Sequence, residues 1–223
     1  MAHRTFLALV TLLAFGIRFA AVVSLRHGDA PPDKRTTGAD GVEYNILGLH
    51  LAEGFGYTIN AGQPTSFRAP GFPFFLAAIY RFFPANYAMV YICLCLMGAI
   101  SCVFTYYIAN QVLTERGARI ASILCAVYPP YVYFASCFDS ENICAVVLVI
   151  SIWLFLLYVR KDSTAALVVS GLALGYCALI RPFSIVVMFL LAADVLIHRQ
   201  RSARQAIGNT LLFVAAFSAL VLP

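Results

Sequence analysis

The chain has 223 residues, of which 62% are apolar and only 11% are charged, and its formal net charge is +5. A soluble domain of this length cannot bury so much apolar surface, so the composition excludes a soluble globular protein and favours a membrane protein with several spans. The apolar residues form long, nearly unbroken blocks, which indicates helices rather than the alternating ~10-residue segments of an outer-membrane barrel.

These blocks predict an all-α, polytopic membrane helix bundle with about seven transmembrane helices. The predicted spans are 5–25, 87–110, 119–137, 142–159, 164–181, 183–197 and 204–222. The first apolar run exceeds the ~7–15 residues of a signal-peptide core, so we expect it to be retained as a span. Arg18 lies within it, and we expect this side chain either to snorkel outward or to face a polar cavity between helices.

Basic residues collect in alternate connections between the predicted spans. One side holds Arg4, Arg116, Arg119, Arg160, Lys161, Arg199, Arg201 and Arg204. Because cytoplasmic loops are enriched in Lys and Arg, this side is predicted to be cytoplasmic together with the N-terminus. The long polar loop 26–86 is then predicted to face outward, and the chain 1–223 is interpreted as a single transmembrane module.

Within the outer loop, a helical pattern of residues begins at Asp40 and ends at Gly54. The broad apolar face of this segment predicts a short helix that lies along the membrane surface. Asp40 has two interpretations. In the first it caps the helix, with Glu43 closing a capping box. This role does not exclude the second, in which Asp40 presents a firmly held carboxylate for catalysis.

A second short apolar helix is predicted over residues 74–83, which are too few to span and are therefore placed in the interface as well. Arg68 lies between the two interfacial helices, beside a rigid Pro-Gly-Phe-Pro turn. Because the planar fork of Arg can bond two phosphate oxygens, Arg68 is predicted to bind an anionic lipid head. The alternative is that Arg68 only anchors the loop to lipid phosphates. Arg81 is interpreted as an anchor to lipid phosphates.

Asp139 and Glu141 form a second acidic spot between the third and fourth predicted spans. Carboxylates near lipid are costly unless they pair or face water, although Asp139 or Ser140 could also cap the fourth span. The preceding Tyr128-Pro-Pro-Tyr131 predicts a bend or break that would turn this acidic end toward the outer loop. Arg181, at the outer end of the fifth span, is a second candidate phosphate partner.

Five segments, taken together and in this order, carry a resemblance. They are Asp40-x-x-Glu-Tyr44, Leu51-Ala-x-Gly-x-Gly-Tyr57, Arg68-x-Pro-Gly-Phe-Pro-Phe-Phe-Leu-Ala77, Tyr128-Pro…Ser136-x-x-x-Ser140-Glu141 and Gly171-Leu-x-Leu-Gly175…Arg181-Pro182. The chain resembles the GT-C superfamily of membrane glycosyltransferases, and within it the protein O-mannosyltransferase-like and lipid A aminoarabinose transferase-like group. Members of this group usually run longer, so we expect the chain to contain their N-terminal seven-span module and to lack their C-terminal part.

The resemblance implies an enzyme that uses a sugar joined to a polyprenyl phosphate and transfers it on the outer face of the membrane. By position, Asp40 is similar to the catalytic acid of the first outer loop, with Glu43 as the fallback. Glu141, and less well Asp139, corresponds to a second acid, and Arg68 to the residue that holds the carrier phosphate. Some relatives bind a divalent metal, but this sequence offers no convincing set of metal ligands.

The sequence therefore predicts an inverting glycosyltransferase of the bacterial inner membrane that acts on a glycan, lipid or protein acceptor and not on nucleic acid. Asp40 would accept the proton of the acceptor hydroxyl, while Arg68 and Arg181 would stabilise the leaving phosphate. Tyr44 and Arg81 are secondary candidates. Two alternatives remain at this point, a transporter or flippase of lipid-linked substrates and a truncated module without activity.

Overall fold

The computed structural model describes residues 3–25, 31–33, 38–60, 62–198 and 202–221, and its described part is helical apart from one small hairpin. The elements are α1 (His3–Leu25), α2 (Gly38–Glu53), β1 (Thr58–Asn60), β2 (Gln63–Pro64), α3 (Gly71–Phe82), α4 (Tyr87–Val112), α5 (Glu115–Val127), α6 (Pro129–Phe134), α7 (Glu141–Lys161), α8 (Thr164–Ile180), α9 (Ser184–His198) and α10 (Ala203–Val221). The all-α membrane fold is thereby confirmed. The chain forms two compact units, 1–146 and 147–223.

Four of the described helices are long and apolar enough to cross a membrane, namely α1, α4, α7 and α10. Helices α8 and α9 are apolar but shorter, with 17 and 15 residues. The third predicted span, 119–137, is not one helix but the pair α5 and α6. The predicted number of seven spans is therefore not confirmed, although the described residues of each predicted span lie largely in helix.

In the first unit, α1 packs against α4 and α5 through a buried face that repeats every four residues. Phe6, Val10 and Ala14 from this face join a core cluster with Cys102 and Tyr106 of α4. Such a repeat is the ordinary consequence of one helix face packing on its neighbours. Arg18 continues the same face and is completely buried, so of the two expected placements the structure shows the inward one.

The break between α5 and α6 lies where the prolines predicted it. Tyr128 leaves the helical conformation, with φ −62° and ψ 114°, and Pro129 and Pro130 open α6. A proline has no amide hydrogen and its ring clashes with the turn before it, so a continuous helix cannot form through this pair. The residue before a proline is also driven toward extended conformations, as Tyr128 is.

Helices α2 and α3, in the segment between α1 and α4, pack side by side and run parallel. The rings of Tyr44 and Phe72 meet edge to face at 5.2 Å, near the start of both helices. Farther along, Gly48 packs on Leu76 so closely that a Cβ at residue 48 would lie 2.7 Å from the Leu76 Cβ. Near the end of α3, the Tyr80 hydroxyl donates to Asn45 Oδ1 at 2.6 Å. This arrangement brings the N-terminal ends of the two helices together.

The loop that joins α2 to α3 contains the hairpin, which the sequence analysis did not predict. Strands β1 and β2 pair antiparallel, with Thr58 opposite Pro64 and Asn60 opposite Gln63. Gly62 between them has φ +80°, a left-handed conformation that glycine adopts at little cost. His50 of α2 contacts the carbonyl oxygen of Thr58 at 2.7 Å, which ties the hairpin to the helix.

In the second unit, α8 packs closely on α10 because small residues line the contact. A Cβ at Gly171 would lie 2.8 Å from the Phe213 carbonyl oxygen, and a Cβ at Gly175 would lie 2.5 Å from that of Phe217. Small residues spaced by four let helix backbones approach in this way within membranes. The Gly171–Gly175 segment of the resemblance therefore has a packing role here.

Candidate functional site

Three predicted site residues meet at the N-terminal ends of α2 and α3, and we call them the Arg68 cluster: Arg68, Asp40 and Glu43. The Nη2 atom of Arg68 donates to Asp40 Oδ1 at 2.6 Å, and its Nε atom donates to Glu43 Oε2 at 2.6 Å. Asp40 and Glu43 are three residues apart on α2, so they share one face of the helix. A single guanidinium thus holds both carboxylates.

The structure places Asp40 inside helix α2 and not at the N-cap position that one interpretation gave it. Helix α2 begins at Gly38, two residues before Asp40, so Asp40 lies within the first turn. The side chains of Asp40 and Glu43 instead accept from Arg68, which follows them by 28 and 25 residues along the chain. Asp40 still benefits from the partial positive charge of the helix start.

Neighbouring groups fix Arg68 in place. The Tyr57 hydroxyl donates to the backbone oxygen of Arg68 at 2.9 Å. The guanidinium lies over the rings of Tyr44 at 5.6 Å and Phe67 at 4.9 Å, which adds cation–π attraction. These contacts leave the Arg68 side chain 18% exposed.

Tyr57 is a site residue that sequence reasoning did not single out. Its only signal was its place at the end of the Leu51–Tyr57 segment of the resemblance. Burial, aided by the nearby Tyr44 and opposed by Arg68, raises the pKa of Tyr57 from 10.0 to about 12. The phenol therefore keeps its proton, and its hydrogen bond to Arg68, throughout the physiological pH range.

The cluster combines a fixed cation with an accessible carboxylate. Arg68 has five N–H groups, and the two bonds to the carboxylates leave three for a further anion. Burial lowers the pKa of Arg68, but its hydrogen bonds with Glu43 and Asp40 raise it, and the net direction is upward. The Asp40 side chain is 52% exposed and that of Glu43 28%, so Asp40 is the more accessible carboxylate.

The second acidic spot lies outside the Arg68 cluster. Within the described residues the ion pairs of Arg68 go to Asp40 and Glu43 only. Glu141 occupies the first turn of α7, where the helix dipole favours a carboxylate, and its Oε2 atom is buried. Asp139 accepts from the backbone N–H of Ser140 at 2.7 Å, which holds the turn before α7.

A row of aromatic rings nevertheless connects this acidic spot to helix α3. The ring centroids of Tyr80 and Tyr87 are 6.2 Å apart, and those of Tyr87 and Phe138 are also 6.2 Å apart. Phe138 is completely buried and also meets Tyr91 at 5.4 Å. The residue immediately before Asp139 is thereby anchored to the start of α4.

Arg81 lies at the opposite end of α3 from the cluster, and Arg181 belongs to the other compact unit. Arg81 is exposed in the last turn of α3, where it and Glu53 line a cavity of about 330 Å³ at the C-terminal ends of α2 and α3. Arg181 belongs to the second unit, where its backbone N–H closes the end of α8 by donating to Cys177 at 2.8 Å. In the part of the chain that the structure describes, no group of three His, Cys, Asp or Glu side chains is placed to hold a metal ion.

Comparison with known proteins identifies the family. Residues 67–223 match the family model described as dolichyl-phosphate-mannose-protein mannosyltransferase, a match that covers more than half of the chain. Arg68 lies at the start of the matched region, whereas Asp40 and Glu43 precede it. No curated protein matches the chain. The family match confirms the resemblance, and three of its five segments lie within the matched region. The chain therefore belongs to the dolichyl-phosphate-mannose-protein mannosyltransferase family, as a GT-C-type integral membrane glycosyltransferase.

Proposed function

We propose that this chain moves a sugar from a polyprenyl-phosphate donor to an acceptor hydroxyl and inverts the sugar at its anomeric carbon. The observation that carries the proposal is the Arg68 cluster, in which one guanidinium and two carboxylates meet on the outer-loop helices. Such a site pairs a partner for a leaving phosphate with a base for an incoming hydroxyl.

Arg68 stabilises the leaving group. As the bond between the anomeric carbon and the phosphate oxygen breaks, its electron pair stays on the phosphate, which needs charge stabilisation rather than a proton. The three N–H groups that Arg68 does not use on its carboxylates are donors for the phosphate oxygens. Because Tyr57 and two rings fix Arg68 beforehand, little reorganisation is needed when the charge develops.

Asp40 activates the acceptor. One of its oxygens, Oδ1, is bound to Arg68, which leaves Oδ2 of this half-exposed side chain to accept the proton of the hydroxyl. The acceptor oxygen then bonds to the anomeric carbon from the face opposite the leaving phosphate. Glu43, the more buried carboxylate, holds the guanidinium at Nε and is the fallback base.

The proposal also places the site at the outer membrane surface. Three phenylalanines of the α3 segment, Phe74, Phe82 and Phe83, are exposed, which suits a helix lying in the interface with its aromatic face in lipid. The basic connections support a cytoplasmic N-terminus. The proposal assigns the chain to the inner membrane of a bacterium. The proposal also assigns Glu141 to positioning the acceptor or the carrier, and Arg181 to binding phosphate.

The test is transfer from a polyprenyl-phosphate sugar by purified protein in vesicles. Asp40→Asn is expected to lower kcat by about 10²–10⁴ while the donor KM stays within a few fold, because the amide oxygen can still accept from Arg68 but cannot take a proton from the acceptor. The matched control is Glu53→Gln, an exposed acid at the end of the same helix, which should retain wild-type rates. Undiminished turnover in Asp40→Asn, with a wild-type enzyme shown to be active, would remove Asp40 from this role.

A further inference from the structure

Arg18 is a buried cation that the proposed reaction does not use. Its side chain is 0% exposed, in the middle of a helix long enough to cross the membrane. The described residues give it no acidic partner within ion-pair distance. Nη1 donates to the backbone oxygens of Ala14 and Ala126 at 3.0 Å each. Nη2 donates to the backbone oxygen of Cys125 at 3.3 Å and to Cys102 Sγ at 4.0 Å.

The two distant oxygens are the ones that the double proline leaves without an amide partner. In a continuous helix the oxygens of residues 125 and 126 would accept from the N–H groups of residues 129 and 130. Both of those residues are proline, which has no N–H. Unsatisfied backbone oxygens are costly in an apolar setting, and the guanidinium supplies the missing donors.

The same geometry explains how a cation is tolerated without a carboxylate. The C-terminal end of α5 carries the partial negative charge of the helix dipole, and Arg18 is placed against it. Helix α4 makes room for the guanidinium with Gly98, where a Cβ would lie 2.4 Å from Arg18 Nε. Three helices therefore contribute to one site: the cation from α1, the slot from α4 and the orphaned oxygens from α5.

We propose that Arg18 is a positioning residue that fixes the break between α5 and α6, and with it the course of the chain that leads to Asp139 and Glu141. Only α6 and a few turn residues separate Ala126 from Asp139 along the chain. Backbone hydrogen bonds stabilise these turns, from the N–H of Ser136 to the oxygen of Tyr133 and from the N–H of Cys137 to the oxygen of Phe134. A change in the direction of α6 would therefore move the acidic spot. The link to sugar transfer rests on the proposed function, whereas the capping of the break does not.

Amide hydrogen exchange of the full chain in vesicles, followed by mass spectrometry, tests the capping directly. Arg18→Met is expected to speed exchange over residues 131–137 about tenfold or more, because two charge-assisted hydrogen bonds to α5 are lost. Arg18→Lys, which keeps part of the donor set, should give a smaller increase. Arg4→Met, which removes an exposed arginine from the same helix, should change nothing.

The decisive comparison is made in the Pro129→Ala/Pro130→Ala background, where two amide N–H groups return to residues 129 and 130. There Arg18→Met should speed exchange by no more than about threefold, because the oxygens of residues 125 and 126 regain backbone donors. An equal effect in both backgrounds, or a uniform increase across α1, α4 and α5, would overturn the proposal. If the Arg18→Met single variant does not fold, Arg18→Lys is compared in the wild-type and the Pro129→Ala/Pro130→Ala backgrounds by the same criteria.

The positioning role has its own measurement. The triple variant with Arg18→Met and both prolines replaced by alanine should be as protected from amide exchange over residues 131–137 as the wild type. Its α5–α6 helix should nevertheless be continuous, so its kcat should be at least tenfold lower. Wild-type kcat in that variant would refute positioning while leaving the capping result intact. If the wild-type chain transfers no sugar, the proposed function fails, and the exchange experiment still decides the capping.

Discussion

The substitutions Arg68→Ala and Arg68→Lys distinguish a structural role of Arg68 from a chemical one. Alanine removes the charge and both hydrogen bonds to the carboxylates. Lysine keeps the charge but replaces five N–H groups in a planar fork with three on one nitrogen. If two of these are used on Asp40 and Glu43, one donor remains for phosphate instead of three.

The expected loss of stability follows from exposure. A hydrogen bond to a charged group contributes about 1.5–3 kcal/mol when buried, but exposed ion pairs contribute only about 0.2–1 kcal/mol. Arg68 is 18% exposed and its partner Asp40 is 52% exposed, so solvent screens part of the interaction. We therefore expect Arg68→Ala to lower the free energy of unfolding by about 1–2 kcal/mol, which is a fall in Tm of a few degrees.

The expected loss of activity is much larger than this loss of stability. Removing one preorganised donor from a developing negative charge typically lowers kcat about 10²–10³-fold, and we expect this for Arg68→Ala. Arg68→Lys should lie between alanine and wild type, with kcat/KM for the donor about tenfold lower. Transfer from a polyprenyl-phosphate sugar in vesicles measures the rates, and thermal unfolding in detergent measures the stability.

Arg119→Ala is the matched control, because Arg119 forms an ion pair of similar exposure with Glu115 on α5. It should cost at most about 1 kcal/mol and leave transfer at the wild-type rate. The reasoning would be refuted if Arg68→Ala retained at least half of the wild-type kcat/KM. It would equally be refuted if the loss of activity in Arg68→Ala simply followed the loss of folded protein.

Two further predictions concern packing and ionisation. Gly175→Ala should destabilise the chain by about 1–3 kcal/mol, because the new Cβ would lie 2.5 Å from a backbone oxygen of α10. The control is Gly208→Ala, which has open space around it and should be neutral or slightly stabilising in the same thermal unfolding assay. For Tyr57, burial raises the pKa to about 12, so its contribution is complete below pH 10 and is lost between pH 10 and 12, where the unfolded chain ionises first. Tyr57→Phe should therefore show a shallower fall in Tm over that interval than wild type; an equal fall would contradict this assignment.

Several features of the fold could be predicted from the sequence because they depend on local chemistry. Composition and long apolar blocks indicated an all-α membrane protein, and the two short helices of the outer loop appear at Gly38–Glu53 and Gly71–Phe82, close to their predicted ranges. The break after Val127 followed from two consecutive prolines. The five ordered segments indicated the family, because its motifs are patterns along the chain.

Other features depended on contacts between distant residues. The sequence placed Arg68 between two helices but gave no sign that it would hold Asp40 and Glu43 together, since that pairing requires α2 and α3 to lie in parallel. The sequence showed Arg18 and the proline break as two unrelated features, and the tertiary structure joins them as donor and acceptor. Periodicity, proline chemistry and composition are properties of neighbouring residues along the chain, so the sequence by itself determined the helices and the family. Ion pairs and the burial of a charge are decided by which helices meet, so only the tertiary structure could assign partners to Arg68 and Arg18.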